Sequence, residues 1–298
     1  MDNTRNDAAA ECIVRQGEGC SMRIVDSSGD VPVQQSCVFV RVAADGSAEE
    51  LEDALQVEAA VCVFVNGELT MRLMCSADHL VELVLGRLYT EDMISGPDEV
   101  DEIRVCEHAT RVLVSLKDRK ANLGRRHVEE ISTCCTFNST LNGYFTKDEG
   151  LEKVVPHPWS PEQVIRAARE FEADTPIHKA TFGAHSCYLL KDDGILYCCE
   201  DLGRHNAFDK VVGCALRDGI DLAECAVFTS GRIPTDMVVK AIRARVPLLI
   251  SKAVPTDMTV AMAQEFDLTL VCSAHSDSFK VFNDPLGVVA GECPQEAF

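Results

Sequence analysis

The opening of the chain has no readable hydrophobic rhythm: residues 1 to about 36 are polar and aperiodic, and they read as a mobile arm. From Cys37 the pattern turns to short runs of β-branched and aromatic side chains. These are CVFVRV, then VCVFV from Val61 and LTMRLM from Leu69. Asn66-Gly67-Glu68 separates the last two, and Asn-Gly favours the positive φ of a hairpin turn. An amphipathic helix follows, with Ser76 or Asp78 as its cap, Leu80, Leu83, Val84 and Leu88 on one face, and Gly96-Pro97 closing it. Strands EIRVC and RVLVSL complete a small α+β domain over residues 37–130.

A polar segment comes next. Basic residues (Lys117, Arg119, Lys120, Arg125, Arg126, His127) lead into ISTCCTFNSTLNG, a cysteine-bearing loop assigned to 131–149. At Ser160 a helix begins with a capping signature: Ser160 at the N-cap, Pro161 at the first helical position, and Gln163 three residues on. That sets a domain boundary near 150. Over 150–298 strands and helices alternate: SCYLL and ILYCC, a helix from Asn206, AVFTS, a helix from about Thr235, PLLIS, a helix from about Thr256, then LTLVCS and FKVF. Alternation of this kind predicts a layered α/β domain with parallel crossovers. IPTDMVV from Ile233 and VPTDMTV from Val254 repeat at two strand-to-helix junctions, so two successive βα units are entered alike.

Composition narrows the ligand classes. With 28 Lys+Arg against 48 Asp+Glu among 298 residues, the net charge is -20. Most of the surface would repel a polyphosphate backbone or an anionic membrane, so neither nucleic acid nor membrane is an expected partner. An anionic ligand needs a local basic pocket. The N-terminal stretch has no apolar leader and no apolar run reaches spanning length, so a cytoplasmic location is expected. The 15 cysteines are scattered and form no C-x-x-C pair, which reads mostly as buried packing. Adjacent Cys198-Cys199 lies within a strand, where neighbours face opposite ways.

In an open α/β sheet, the loops leaving the strand C-termini gather into one crevice, where helix N-termini offer free N–H groups to an anion. DLGRHN, TSGRIP and SKAVP are three such loops, bringing Arg204, His205, Arg232 and Lys252 toward one mouth. The alternative is a set of ordinary βα turns whose arginines pair with surface carboxylates. His205, His185 before its strand and His275 near the C-terminus are each equally compatible with packing, and none has a spaced metal-ligand partner. Cys134 and Cys135 follow six basic residues, and positive charge raises the thiolate fraction of a thiol. They read either as a persulfide-holding site or as buried or mutually bonded thiols.

EDLGRHNAFDKVVG (Glu200 to Gly213) resembles the E-D-x-G-R-H-N-x-x-D-K signature of the formate dehydrogenase accessory sulfurtransferases, the FdhD/NarQ family. TSGRIPTDMVVKAIRARVPLLISKAVPTDMTVAMAQEFDLTLV is similar to that family's S-G-R…M-V-x-K-A…P-x-L-x-S…A-x-x-L-T-L-V stretch, and TFGAHSC resembles its T-G-G-x-H segment. VNGE at Val65 and ELVLGRLYTEDMI at Glu82 match more loosely, so the resemblance covers about residues 55 to 283. It implies a cytidine-deaminase-like fold for the C-terminal half and a homodimer. It also implies sulfur relay from a cysteine desulfurase to the molybdenum bis-molybdopterin guanine dinucleotide cofactor of a formate dehydrogenase apo-enzyme.

Cys134 falls on the first cysteine of the family's C-G-x-C-G loop, while Phe137 stands at the second, leaving Cys135 as a partial substitute. The family's F-x-R-x-x-x-F-x-V-Y segment corresponds to Ser273 to Phe282. Ser273 and His275 replace its Phe and Arg, and Ala274, Ser276, Asp277 and Ser278 complete the expected cofactor-binding run. Zinc deaminase chemistry needs H-x-E with P-C-x-x-C. Only His127-Val128-Glu129 is present, so zinc is not expected. The competing expectation is a non-enzymatic molybdenum-cofactor-binding assembly chaperone that keeps the crevice without transfer chemistry.

Overall fold

The computed structural model describes residues 11–13, 22–118, 129–131, 151–173, 175–192 and 194–289. The first half contributes β1 (Glu11–Ile13), β2 (Arg23–Asp26), β3 (Gln34–Val42), β4 (Ala48–Gln56), β5 (Ala59–Val65), β6 (Glu68–Cys75), α1 (Leu80–Thr90), β7 (Val100–Val105), β8 (Arg111–Leu116) and β9 (Glu129–Ile131). The second contributes α2 (Pro161–Ala173), α3 (Pro176–Thr181), β10 (His185–Lys191), β11 (Gly194–Asp201), α4 (Arg204–Asp218), β12 (Cys225–Thr229), α5 (Thr235–Arg243), β13 (Leu248–Ser251), α6 (Asp257–Glu265), β14 (Thr269–Cys272) and β15 (Lys280–Asn283). The chain is α/β. None of these helices is long and apolar enough to cross a membrane.

One sheet runs β1-β2-β7-β8-β5-β6-β9. Its β5–β6 hairpin turns at Asn66 (φ 52) and Gly67 (φ 88), the left-handed pair that Asn-Gly supplies. Inward residues alternate along β5, with Val61, Val63 and Val65 buried. The N-terminal arm needs correcting. Val25 and Ile24 of β2 are buried, and β2 pairs in parallel with β7, so residues from Arg23 belong to the sheet. A four-residue strand is too short to announce itself as a period. CVFVRV does not join this sheet either. It pairs as β3 with the acidic β4 in a separate hairpin, where Val38, Val40 and Val42 stay exposed.

The second sheet runs β11-β10-β12-β13-β14-β15. Only β12, β13 and β14 are mutually parallel; β10, β11 and β15 pair antiparallel, so the expected crossovers account for the sheet's centre alone. Cys187, Leu189, Val227, Leu249 and Leu270 face one side and pack with α4, α5, α6 and α1 in a core shared with the first sheet. Tyr188, Phe228, Ile250 and Val271 face the other, against Trp159, Val164 and Phe171 of the α2 segment. Cys199 is buried and Cys198 exposed, as strand alternation requires. Ser160 and Gln163 exchange the two hydrogen bonds of a capping box (Gln163 N to Ser160 Oγ 3.2 Å, Ser160 N to Gln163 Oε1 2.8 Å).

Helix α1 is buried on nearly every side because it crosses α4 at backbone contact. A Cβ at Gly86 would lie 1.9 Å from the Asp209 carbonyl oxygen, and one at Gly213 1.9 Å from that of Glu82. Its cap differs from expectation: His79, at φ 52, holds the N-cap position without a side-chain bond. The Ser76 hydroxyl accepts from Gln56 Nε2 and Asp78 pairs with Lys210, so both side chains are engaged elsewhere.

Candidate functional site: a crevice at the strand ends

Five loops meet at one edge of the second sheet. The parallel strands deliver Thr229, Ser251 and Cys272 to that edge, and the antiparallel neighbours bring the start of β10 (His185) and the end of β11 (Asp201) to it. Backbone and side-chain bonds lace the loops together. Ser251 Oγ donates to the Gly231 carbonyl (2.7 Å), Lys252 N to Thr229 O (3.1 Å), and Ala274 N to Ser251 O (3.0 Å). The two PTD repeats also touch, through a bridge between Ile233 and Pro255. Such bonding holds the crevice walls on rigid strand ends.

Gly231 lets the stem of Arg204 lie across the backbone, since a Cβ there would sit 2.9 Å from Arg204 Cδ. His185 Nδ1 lies 3.2 Å from Ser230 Oγ, which also accepts from Ser186 N (3.1 Å). Burial and the nearby Arg204 cation hold the His185 imidazole below its ordinary pKa, so it faces the crevice neutral at pH 7. Beside it opens a cavity of about 470 Å³ lined by Glu172, His178, Phe182, His185, Ser230 and Lys252 among others. Lys252 Nζ lies 3.5 Å and His275 Nδ1 3.7 Å from the same Glu172 oxygen. A hydrogen bond from Ser276, joined by the Lys252 and His275 charges, keeps the Glu172 carboxyl below the usual range. The Glu172 carboxylate thus sits against Lys252 at the pocket wall.

Not every expected contact turns toward this mouth. His205 points inward, its Nε2 2.9 Å from Asp236 Oδ2, joining the first turns of α4 and α5. Burial lowers its pKa against the opposing pull of Asp236. Ala274 is fully buried among the apolar residues beneath α2. Arg232 is exposed at the rim, as are His275, Asp277 and Ser278. Cys134, Cys135 and Phe137 lie outside the described residues. Among the described residues, no group of three His, Cys, Asp or Glu side chains is placed to hold a metal ion.

The E-D-x-G-R-H-N-x-x-D-K segment turns out to be mostly a fastening between the two halves of the chain. Glu200 accepts from Ile177 N (2.8 Å), His178 N (2.9 Å) and Ser186 Oγ (2.9 Å), which fixes α3 over the crevice. Asp201 accepts from Ser76 N, Gly203 N and Asn206 Nδ2, and Asn206 also donates to Met74 O. Lys210 Nζ meets Asp201 (2.9 Å) and Asp78 (3.0 Å). Burial works against its charge, yet those carboxylates hold it above its ordinary pKa. Asp209 and Glu91 take Lys240 at 2.8 and 3.0 Å, with Arg87 at 3.3 and 3.4 Å, all almost fully buried. Two cations and two anions so close neutralise one another.

The model of the FdhD/NarQ family matches residues 56–288 of this chain, which take in the crevice and every fastening residue just described. The chain belongs to this family. A sulfur carrier protein FdhD from Listeria innocua is 30% identical over 242 residues, covering 80% of this chain and 92% of that protein. Its counterpart from Bacillus subtilis is 28% identical over 243 residues, with the same coverage. The crystal structure of a formate dehydrogenase accessory protein from Desulfotalea psychrophila superposes with a TM-score of 0.69. It is 25% identical and covers 86% of this chain and 99% of that one. The β3–β4 hairpin precedes the family's matched segment except for its last residue, Gln56.

Three crevice residues are not singled out in the sequence, although Ser230 lies in TSGRIP and Phe182 in TFGAHSC. Glu172 sits on the solvent edge of an amphipathic helix, and Ser230 in a turn that reads as ordinary. Phe182 follows α3, whose six residues are too few to show a helical period.

Proposed function

We propose that this chain is a sulfur carrier in formate dehydrogenase maturation, with Cys134 as the carrier and the strand-end crevice as the seat of the molybdenum bis-molybdopterin guanine dinucleotide substrate. The crevice carries the reading: Lys252 lines its cavity, Arg204 lies beside Gly231 next to it, and Arg232 is exposed on the same loop, which gives a -20 chain a local place for a dinucleotide's phosphates. Family membership and the names of the relatives support the sulfur part. A homodimer in the cytoplasm, working between a cysteine desulfurase and the apo-dehydrogenase, completes the proposal.

The chemistry balances as two thiol exchanges. The Cys134 thiolate attacks the outer sulfur of the desulfurase persulfide, the old S–S bond breaks, and the desulfurase cysteine leaves as thiolate. No net oxidation occurs. Release of that sulfur as sulfide takes two electrons. A second thiol supplies them by attacking Cys134 Sγ, forming a disulfide as hydrosulfide departs toward the metal. Phe137, where the related loop has its second cysteine, leaves Cys135 or an external thiol for that role.

The test is mass spectrometry of the loop peptide after incubation with a cysteine desulfurase and L-cysteine. One added sulfur atom on Cys134, absent in Cys134→Ala, is the expected result. A Cys134→Ala variant that still matures a formate dehydrogenase in cells lacking the native protein refutes the assignment. The Phe137 replacement favours one second reading, an assembly chaperone that holds the cofactor without transferring sulfur. It predicts nucleotide binding with no sulfur uptake.

A further inference from the structure

Phe182 combines two unfavourable features at the rim of the crevice. Its backbone lies at φ 53, a left-handed conformation that glycine adopts freely and a Cβ-bearing ring does not. Its side chain is 82% exposed, the most exposed large apolar residue among the described ones. The backbone conformation ends α3, with Phe182 N donating to His178 O at 2.7 Å, a task for which glycine or asparagine is the usual choice. Folding therefore gains nothing from a phenyl group here, and strain of this kind gathers at ligand sites.

The surroundings say what the ring meets. Phe182 lines the 470 Å³ cavity together with Ser230, His185 and Lys252. The His178 ring stands edge-on to it, 6.0 Å between centroids at 68°. That ring is itself fixed, because its Nδ1 donates to the Ala184 carbonyl at 2.7 Å, and Glu200 holds the His178 backbone. Phe182 therefore has one fixed neighbour and is otherwise open to water beside Lys252. An open aromatic face next to a phosphate-binding cation is how proteins take a nucleotide, base on the ring and phosphates on the charge. We infer that Phe182 is the stacking platform for the planar base of the nucleotide bound in this crevice. The inference rests on the crevice reading above, and it makes the exposed ring a specificity element for heteroaromatic over purely anionic ligands.

Calorimetry on the full-length protein with two probes separates the parts. GDP carries both base and phosphates, whereas inorganic pyrophosphate carries phosphates alone. Phe182→Ala should weaken GDP binding about five- to a hundredfold, the range of a base–aromatic stack, and leave pyrophosphate binding unchanged. Phe182→Trp should keep GDP binding. Phe182→Gly should lose it while the thermal midpoint rises by about 2–4 °C, since the strain is relieved. A purely structural ring would lose stability in that variant. Unchanged GDP affinity in Phe182→Ala, or equal loss for both probes, overturns the stacking role while the crevice stands. Binding of neither probe by the unaltered protein overturns the crevice reading and this inference with it. A change of sedimentation mass in Phe182→Ala would make the ring a contact between two copies, which also overturns it.

Discussion

Replacing Gly213 by alanine sets two physical effects against each other with opposite signs. In an exposed helix the change stabilises, because alanine exceeds glycine in helix propensity by about 1 kcal/mol. At the α1–α4 crossing the new methyl would sit 1.9 Å from the Glu82 oxygen and 2.5 Å from its carbonyl carbon. Contacts of that kind do not fall below 3.0 Å, so the helices must part by roughly 1.1 Å or more. Both neighbours are backbone, and no side chain can swing away. Parting carries Thr90 Oγ1 off Asp209 Oδ1, now 2.7 Å away, and loosens the bond to the Lys240 network. Overpacking at about 1–3 kcal/mol plus one weakened charged hydrogen bond at about 1.5–3 kcal/mol, less the propensity gain of about 1 kcal/mol, gives a net loss of about 1.5–5 kcal/mol. Against a total stability of about 5–15 kcal/mol that is a large fraction. Urea unfolding followed by far-ultraviolet dichroism and Trp159 fluorescence measures it, with Gly86→Ala as the reciprocal case. Unchanged or increased stability in Gly213→Ala would show that the two helices do not meet backbone to backbone.

Lys240→Met should cost about 3–5 kcal/mol in the same assay, because Asp209 and Glu91 would stay buried with Arg87 as their one cation, an uncompensated negative charge; a loss below about 1 kcal/mol would refute the tight network. Burial pushes the Asp78 carboxyl up, but His79 and Lys210 outweigh it and hold it at about 2. Its contribution is therefore complete above about pH 4 and is lost as pH falls toward 2, and acid titration of Asp78→Asn should show a shallower loss across that window. Glu172→Gln should tighten pyrophosphate binding several-fold by removing the carboxylate between Lys252 and His275, and weaker binding would place the anion elsewhere. Cys135→Ser should keep most dehydrogenase maturation while Cys134→Ser loses it, since adjacent thiols diverge and join only through a strained ring; single-turnover transfer of labelled sulfur compares them.

Where local chemistry decides a structure, the sequence is legible. Asn66-Gly67 makes its turn, Ser160 and Gln163 make their capping box, and the repeated PTD segments open α5 and α6, because each depends on residues within one turn of one another. The parts that escape it depend on distant partners. Ser76 and Asp78 look like caps until Gln56 of another strand claims the Ser76 hydroxyl and Lys210, more than a hundred positions away, claims Asp78. The Asp209-Lys210 pair of the signature proves to be a fastening, since burial against α1 cannot be seen along a string. Arg204, Lys252 and His185 do reach the crevice. His205 and Ala274 turn away, and nothing in their neighbours' identities distinguishes inward from outward at a loop.

The charged clasp between Thr90 and Lys240 spans 150 positions and imposes an order on synthesis. At about 5–20 residues per second, a ribosome needs about 8–30 s after finishing α1 to supply its last counter-ion. Throughout that interval α1 carries Arg87 and Glu91 against the first sheet alone, without the α4 face that covers it in the finished fold. Translation stalled between residues 120 and 200 should leave that half sensitive to protease. Release of the finished chain, and no shorter product, should restore resistance.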